Sequence, residues 1–579
     1  MRKFFLPALW ALIIAATGVA SAQGSAPSIY FTDINSGPNT GGASNNGVFV
    51  TIYGSGFGAT QGTSTVTVGG GVVASCPVWG AKWLWYQKTT CQLGANAKSG
   101  NIVVKTSAGT SNGIPFTVRA GGIYFVSTSG SDSAAGSFAA PWKTMTKLRS
   151  TVKAGDTVYL RAGTWSALDD DRSTLLVNGK SGTAAAPIAV SGYPGETATI
   201  SAGTHDWAIA DTYSDSNWWT FSNITIADAG DIGVYWSPTD TKGARMDGIR
   251  FVGTINHNIQ SCPWEFNGDS SSSQMLGNDV YDFALESPST GVRGYGWYYG
   301  GYGAQTNIEI GWNYVHYDGA LKLGSRGLQM YGHCPQAGQC PDKTDLFQNV
   351  VFHDNVVKGM GRSGILLGGS DGTGDDPFKD DNTQYIYNNV FVANGATDLD
   401  YGYSAIQFGN SSSGTGTFKV YNNTFYGNGN SPLPSASGDI DDQGVTSIEI
   451  VNNAFYAPSS SSHYCGYVCF EVNGKSSQVS GHHNLFYNFG NGPSWSTNSI
   501  SGKDPLFVNP STDMSVADFH LQSSSPAKDV GYTESAVTHD VVNVSRPQGS
   551  AYDIGAYEYY TGTTASKPAA PTNLSVVVK

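Results

Sequence analysis

Charged residues are scarce in this chain. Asp, Glu, Lys and Arg make up 13% of its 579 residues, and 44 acidic side chains against 31 Lys and Arg give a formal net charge of −13. Gripping nucleic acid requires a broad basic surface that displaces the counterions of the phosphate backbone, so the balance excludes that partner. Helix-favouring Leu, Lys and Glu are thin beside Val, Ile, Thr, Tyr, Asn and 74 Gly, a mixture that suits strands joined by many turns. An all-β protein is expected, long enough for two or more domains and a large core. There is no P-loop and no H-E-x-x-H, and GRSGI around Ser363 lacks the full G-x-S-x-G elbow. No organic cofactor is expected.

Long apolar runs are absent beyond the N-terminus. MRKFFLPALWALIIAATGVASAQG has Arg2 and Lys3, an apolar stretch, and then Ala20-Ser21-Ala22, the pattern of a secretory signal peptide over residues 1–22 cleaved before Gln23. The stretch is short for a spanning helix, and no later run is long enough to cross a bilayer. A secreted monomer, extracellular or periplasmic, with no membrane span in the mature chain is therefore expected. Cysteine is rare as well, with seven residues. Cys76/Cys91, Cys334/Cys340 and Cys465/Cys469 lie close enough in sequence to pair in an oxidising compartment, leaving Cys262 over. His333, Cys334 and Cys340 have no second ligand pair at finger spacing, which disfavours zinc there.

What the chain does have is turn-punctuated β pattern. Residues 27–118 include VFVTIYGSGFGATQGTSTVTVGG and SGNIVVKTSAGTSNGIPFTV. Gly54-Ser55-Gly56-Phe57-Gly58 and Ser111-Asn112-Gly113 carry a resemblance to the IPT/TIG immunoglobulin-like sandwich family. That resemblance implies a small β-sandwich used for binding or spacing.

A second unit opens near Ile123 with an extended run, a Gly/Ser/Asp turn and one helix-like piece at residues 142–152. Thereafter SNITI, WNYVHY, DNVVKG, NNVFVANG, NNTFYGNG, NNAFYAP and HNLFYNFG place Asn at 223, 313, 355, 389, 423, 453 and 484. From Asn313 onward the intervals are 42, 34, 34, 30 and 31 residues, the period of a strand-and-turn solenoid. Asn suits each sharp bend because it tolerates left-handed backbone and its amide can bond the Asn above and below. Leu328 and Met330, Ile365 and Leu367, and Ile406 and Phe408 alternate as inward residues should. A propeller or sandwich with coincidental Asn turns is the rival. Residues 123–559 resemble the right-handed parallel β-helix superfamily of pectate lyases, alginate lyases and several glycoside hydrolases. The closing stretch from Asp504 to Tyr559 (DPLFVNP…DIGAYEY) is similar to the last coils of many secreted bacterial members. Residues 560–579 read as a Thr/Ser/Pro/Ala-rich tail.

The resemblance implies that GLQMYG, SGILLGG and SAIQFG stack in one sheet, extended upstream by GWYYGGYG and DIGVYWSP. Its outward residues would include Tyr235, Tyr298, Gln329, Tyr331 and Gln407, and aromatics with amides suit a polysaccharide substrate. Lys322, Arg326 and Arg362 precede adjacent strands of that sheet, and His333 follows one. A lyase acting on a uronic-acid polymer must neutralise the carboxylate, remove the C5 proton and protonate the leaving oxygen, roles open to Arg, Lys and His. These four residues are the catalytic candidates, with solvated turn residues as the bland alternative. Asp371, Asp375 and Asp376, in SDGTGDDPFKDDN, could hold calcium, although they do not follow EF-hand order. Three functions stay open: a lyase, a hydrolase using paired carboxylates such as Asp371, Asp400 or Asp439, and a non-catalytic carbohydrate-binding adhesin.

Overall fold

The computed structural model describes residues 26–561, apart from 239–244, 286–293, 302–304, 318–324, 333–346, 370–382, 396–403, 410–416, 430–436, 443–446, 459–467, 473–478 and 491. Its architecture is all-β: an Ig-like sandwich followed by a right-handed parallel β-helix. In the sandwich, Phe49–Ser55 lies between Ser28–Thr32 and Tyr86–Gln92 in one antiparallel sheet, while Gly100–Thr106 lies between Thr65–Val68 and Ile114–Val118 in the other. Val50, Ile52, Val66, Val104 and Phe116 fill the space between them. Cys76 and Cys91 form a disulfide across one edge, and Cys262 is buried with its Sγ 3.5 Å from Ser261 Oγ. Cys334, Cys340 and Cys465, and with them the expected pairs Cys334/Cys340 and Cys465/Cys469, lie outside the described residues.

The β-helix has three faces. In each coil the chain runs through sheet I, sheet II and sheet III, which have 13, 12 and 10 strands among the described residues, every neighbouring pair being parallel. The strands are short because each must bend at a corner, and alternate residues point into one continuous core. Sheet II contributes a column of inward rings: Phe391, Phe425, Phe455 and Phe486 stack with centroids 5.2, 4.7 and 5.1 Å apart. At the N-terminal end, Met145–Thr151 forms a helix whose N-cap, Thr144, accepts a hydrogen bond from the Lys147 amide. Trp142, Met145 and Leu148 join the core, so this piece closes the first coil.

The corner between sheets I and II explains the repeated Asn and corrects the reason expected for it. The left-handed residue is the one before: Trp312, Asp354, Asn388, Asn422, Asn452 and His483 have φ between 52° and 58°. The repeated Asn follows it and points inward. Asn313, Asn355, Asn389, Asn423 and Asn453 each donate an amide hydrogen to the next Asn along the axis, ending at Asn484, and Asn278 begins the same ladder. Asn223 is the exception. It occupies the left-handed position (φ 53°), and its side chain accepts from the Tyr53 hydroxyl and donates to Asp33 and Thr51 of the sandwich.

Two faces are covered. The sandwich packs on sheet I, where Phe31, Tyr53 and Tyr86 meet Val252, Leu276 and Trp312. The C-terminal segment lies over sheet II, with Phe507, Phe519, Leu521 and Val541 against Val390, Val392 and Tyr426. Among the described residues, no helix is long and apolar enough to cross a membrane.

Candidate functional site

Sheet III contains all five segments expected to share one face: Ile232–Ser237, Gly294–Gly301, Ser325–Gly332, Ile365–Gly369 and Ile406–Gly409. Backbone register makes an outward row of Tyr235, Glu265, Tyr298, Gln329, Leu366, Gln407 and Asp441. Their inward neighbours Trp264, Trp297, Leu328, Ile365 and Ile406 are in the core, as strand alternation requires. Tyr331 lies on the same strand, its backbone in register with Gly300 and Gly368.

Arg326 aligns with Tyr295 in the preceding coil. Its Nη1 donates to Gln329 Oε1 at 2.8 Å, and its guanidinium carbon lies 5.8 Å from the Tyr295 ring centroid. The amide and the ring fix the fork while the side chain stays half-buried. One coil on, the Arg362 backbone N–H donates to Ser325 O at 2.8 Å, which brings Arg362 alongside Arg326. Ser363 Oγ donates to Gln407 Oε1 at 2.8 Å, and Gln407 Nε2 donates to Asp441 Oδ2 at 3.3 Å. Gln329, Gln407 and Tyr298 are therefore buried members of the row, whereas Tyr235, Glu265, Arg326 and Arg362 are partly open. The two amides hold their neighbours in place. Lys322, His333, Asp371, Asp375, Asp376 and Asp400 lie outside the described residues.

Stacked rings lie upstream on the same face, with Trp207, Tyr295 and Tyr298 buried and Tyr235 partly open. Trp207 and Tyr235 stack at 4.6 Å with an interplanar angle of 11°, and Tyr295 stacks on Tyr298 at 5.4 Å. Arg172 sits 3.8 Å above the Trp207 centroid and pairs with Asp206. Burial pushes the Tyr235 hydroxyl above its ordinary pKa, so it stays protonated at neutral pH. Sequence reasoning missed Arg172, Trp207 and Glu265. The alternation in PWEFN, with Trp264 and Phe266 inward, carries the signal for Glu265, whereas Ala208 and Ile209 both enter the core and simple alternation does not single out Trp207. Chemically, its partly open positions offer the guanidinium groups of Arg326 and Arg362, the Tyr235 ring and the Glu265 carboxylate along a strand-ordered face.

Residues 124–317 match the family model described as Pel9A-like, right handed beta helix region. The chain is also similar to the protein named pectate lyase PEL9 from Emericella nidulans, at 30% identity over 170 residues, which cover 27% of this chain and 38% of that relative. The match thus spans well under half the length of this curated relative. Among solved structures, it is similar to pectate lyase Pel9A (18% identity, TM-score 0.48, covering 76% of this chain and 96% of that one). A further similarity is to a rhamnogalacturonan lyase (14% identity, TM-score 0.38, covering 67% and 90%).

Proposed function

We propose that this protein is a secreted polysaccharide lyase that lays a uronic-acid polymer, pectate in the first instance, along the outward face of sheet III and cleaves it by β-elimination. The observation that carries the reading is the Arg326 guanidinium, fixed by Gln329 on that face beside stacked tyrosines. A guanidinium placed in advance against the substrate carboxylate stabilises the charge that builds when the C5 proton leaves. The balance is simple. A base takes the C5 proton, the C4–O bond breaks as the C4=C5 double bond forms, and an acid protonates the departing oxygen. Arg362 shares the carboxylate, and Lys322 and His333 are the base and acid candidates. Calcium held by Asp371, Asp375 and Asp376 would add positive charge for the carboxylates. The chain's net charge of −13 does not oppose this, because the local field at a cleft governs capture.

Hydrolysis would require an acid and base pair flanking the sugar. Of the carboxylates considered for that role, Asp439 is buried and its Oδ1 accepts from Asn428 Nδ2 at 2.9 Å, which ties it to the asparagine packing. The deciding experiment incubates the protein with pectate, alginate and rhamnogalacturonan while following both ultraviolet absorbance of the new double bond and reducing ends. Unsaturated product is expected, with Arg326→Ala reducing kcat/KM by about 100-fold or more and Arg326→Lys recovering part of it. Reducing ends without absorbance, or binding without any product, would overturn the proposal.

A further inference from the structure

A second cluster of titratable groups lies away from sheet III, at the sheet I–II corner beneath the C-terminal segment. His353 ends the strand Val351–His353, and Asp354 takes the left-handed corner position with φ 53°. His539, 185 residues beyond Asp354, arrives from the covering segment. His353 Nδ1 lies 2.7 Å and His539 Nε2 3.1 Å from Asp354 Oδ2, and the three ligand atoms lie within 4.8 Å of one another.

We propose that His353, Asp354 and His539 form a divalent-metal site of the zinc class that fastens the C-terminal segment to the β-helix. Two imidazole nitrogens and a carboxylate are a donor set that zinc takes readily, with a fourth position for water. An independent observation points to a ligand. Asp354 is fully buried, yet its Oδ1 has no hydrogen-bond partner among the described residues, and a buried carboxylate oxygen left in that state is unusual unless something cationic completes it. The surroundings are those of an oriented ligand. His353 Nε2 contacts Glu309 Oε1 at 3.2 Å, and Glu309 in turn accepts from Gln274 Nε2 at 2.6 Å. A carboxylate behind a histidine fixes the tautomer and the ring plane for metal binding. Tyr387 stacks on the His353 ring at 5.1 Å and Trp312 meets it edge-on at 4.6 Å. Gly311 leaves the ring its room, since a Cβ there would lie 2.7 Å from His353 Nε2. His539 is held by its carbonyl, which accepts from Asn388 Nδ2 at 2.7 Å and Arg546 Nε at 3.2 Å. On loading, His353 keeps its Nε2 proton on Glu309, and any proton between Nδ1 and Asp354 leaves to solvent as the metal takes its place.

The site is tested on the full, tag-free protein after stripping with a chelator. Calorimetry and elemental analysis with Zn(II) should find about one ion per chain, and the unfolding temperature should climb with free zinc. Co(II) should give the d–d absorption of a four-coordinate site. His539, whose side chain is 22% exposed, can be changed with little risk to folding. His539→Ala should abolish the zinc-dependent rise and the cobalt bands, and Glu309→Gln should weaken zinc by about 10- to 100-fold. Absence of stoichiometric zinc in the wild-type protein would leave these groups an ion-pair cluster and overturn the proposal. So would the same zinc response in His539→Ala, or a response to Ca(II) in place of Zn(II).

Discussion

Replacing Asn389 in the middle of the corner ladder tests what holds the coils in register. Its Oδ1 accepts from the Asn355 backbone N–H at 2.9 Å and from Asn355 Nδ2 at 3.0 Å. Its Nδ2 donates to Phe352 O at 2.9 Å, Tyr387 O at 3.0 Å and Asn423 Oδ1 at 3.0 Å. Asn355, Asn389 and Asn423 are fully buried, so water cannot replace what Asn389→Ala removes. With only two amide hydrogens to share among its three acceptors, Asn389 makes at most four full bonds, and at roughly 0.5–1.5 kcal/mol net for each the loss sums to about 2–6 kcal/mol. Asn389→Asp is nearly the same shape but aims a carboxylate oxygen at three acceptors, so at neutral pH it should be worse than alanine. Protonation restores one donor, so the aspartate variant should recover as pH falls. A solenoid need not unfold in one step, and hydrogen exchange of peptides covering residues 347–428 is therefore the assay, alongside thermal unfolding. Alanine within about 1 kcal/mol of wild type, below even a single such bond's upper range, or an aspartate variant as protected as wild type at pH 8, would refute the ladder as the source of register.

Two other perturbations follow from buried charges. Burial raises the Asp439 carboxyl to about 7, against lowering by the Asn428 hydrogen bond. The folded state thus holds a proton that the unfolded chain releases near pH 4, so stability is full below that and falls, by at most about 4 kcal/mol, as pH rises toward 7. Asp439→Asn should raise the unfolding temperature at pH 8 and leave it unchanged at pH 4. Arg546 and Glu558 pair at 2.7 Å with side chains 0% and 1% exposed. Arg546→Leu, which strands the carboxylate and the carbonyls of His539, Asp553 and Gly555, should cost about 3–5 kcal/mol or more in chemical denaturation, and Arg546→Leu/Glu558→Leu should recover only the part owed to the unpaired charge.

The period of the repeated Asn was sufficient to read a strand-and-turn solenoid, because a coil must place the same residue at the same corner every turn, and the resemblance to the β-helix superfamily supplied the particular fold. It did not reveal which of two adjacent positions carries the left-handed backbone, since Asn388-Asn389, Asn422-Asn423 and Asn452-Asn453 satisfy both requirements with one residue type. Asp354-Asn355 and Trp312-Asn313 separate the roles, and only the observed φ values identify the first position as the bend. Asn278 was not among the repeats read from the sequence, although its corner is built the same way, with Gly277 in the left-handed place at φ 64°. On sheet III, strand alternation in GLQMYG puts Leu328 and Met330 inward and Gln329 outward, as observed, since a one-residue slip would expose Leu328 and Met330. The partners of those outward residues were not legible. That Gln329 orients Arg326 and Gln407 joins Ser363 to Asp441 depends on side-chain rotamers across coils. His353 and His539 were invisible as a pair because their meeting depends on how the C-terminal segment folds back.

The placement of the sandwich bears on whether it is a spacer or part of the β-helix's own structure. Arg250, on sheet I, donates to Asp33 O at 2.8 Å and Thr32 O at 3.2 Å, Trp83 Nε1 donates to Gly277 O at 2.7 Å, and Tyr86 donates to Trp312 O at 3.0 Å. Tyr30 reaches the C-terminal segment, donating to Val542 O at 2.7 Å. A tethered spacer would make few such contacts, whereas these bury backbone and ring surfaces as a core does. Deleting residues 26–118 would uncover Val252, Leu276 and Trp312, three side chains at roughly 1.5–3 kcal/mol each, together with the Arg250 guanidinium. The truncated chain should melt at a lower temperature and self-associate through the bared face of sheet I, as measured by calorimetry and sedimentation. Because the candidate groove is on sheet III, product formation per folded molecule should change little. A truncated chain that stays monodisperse with an unchanged unfolding temperature would show that the sandwich only spaces. Loss of turnover in a truncated chain that remains folded would place the sandwich in substrate binding instead.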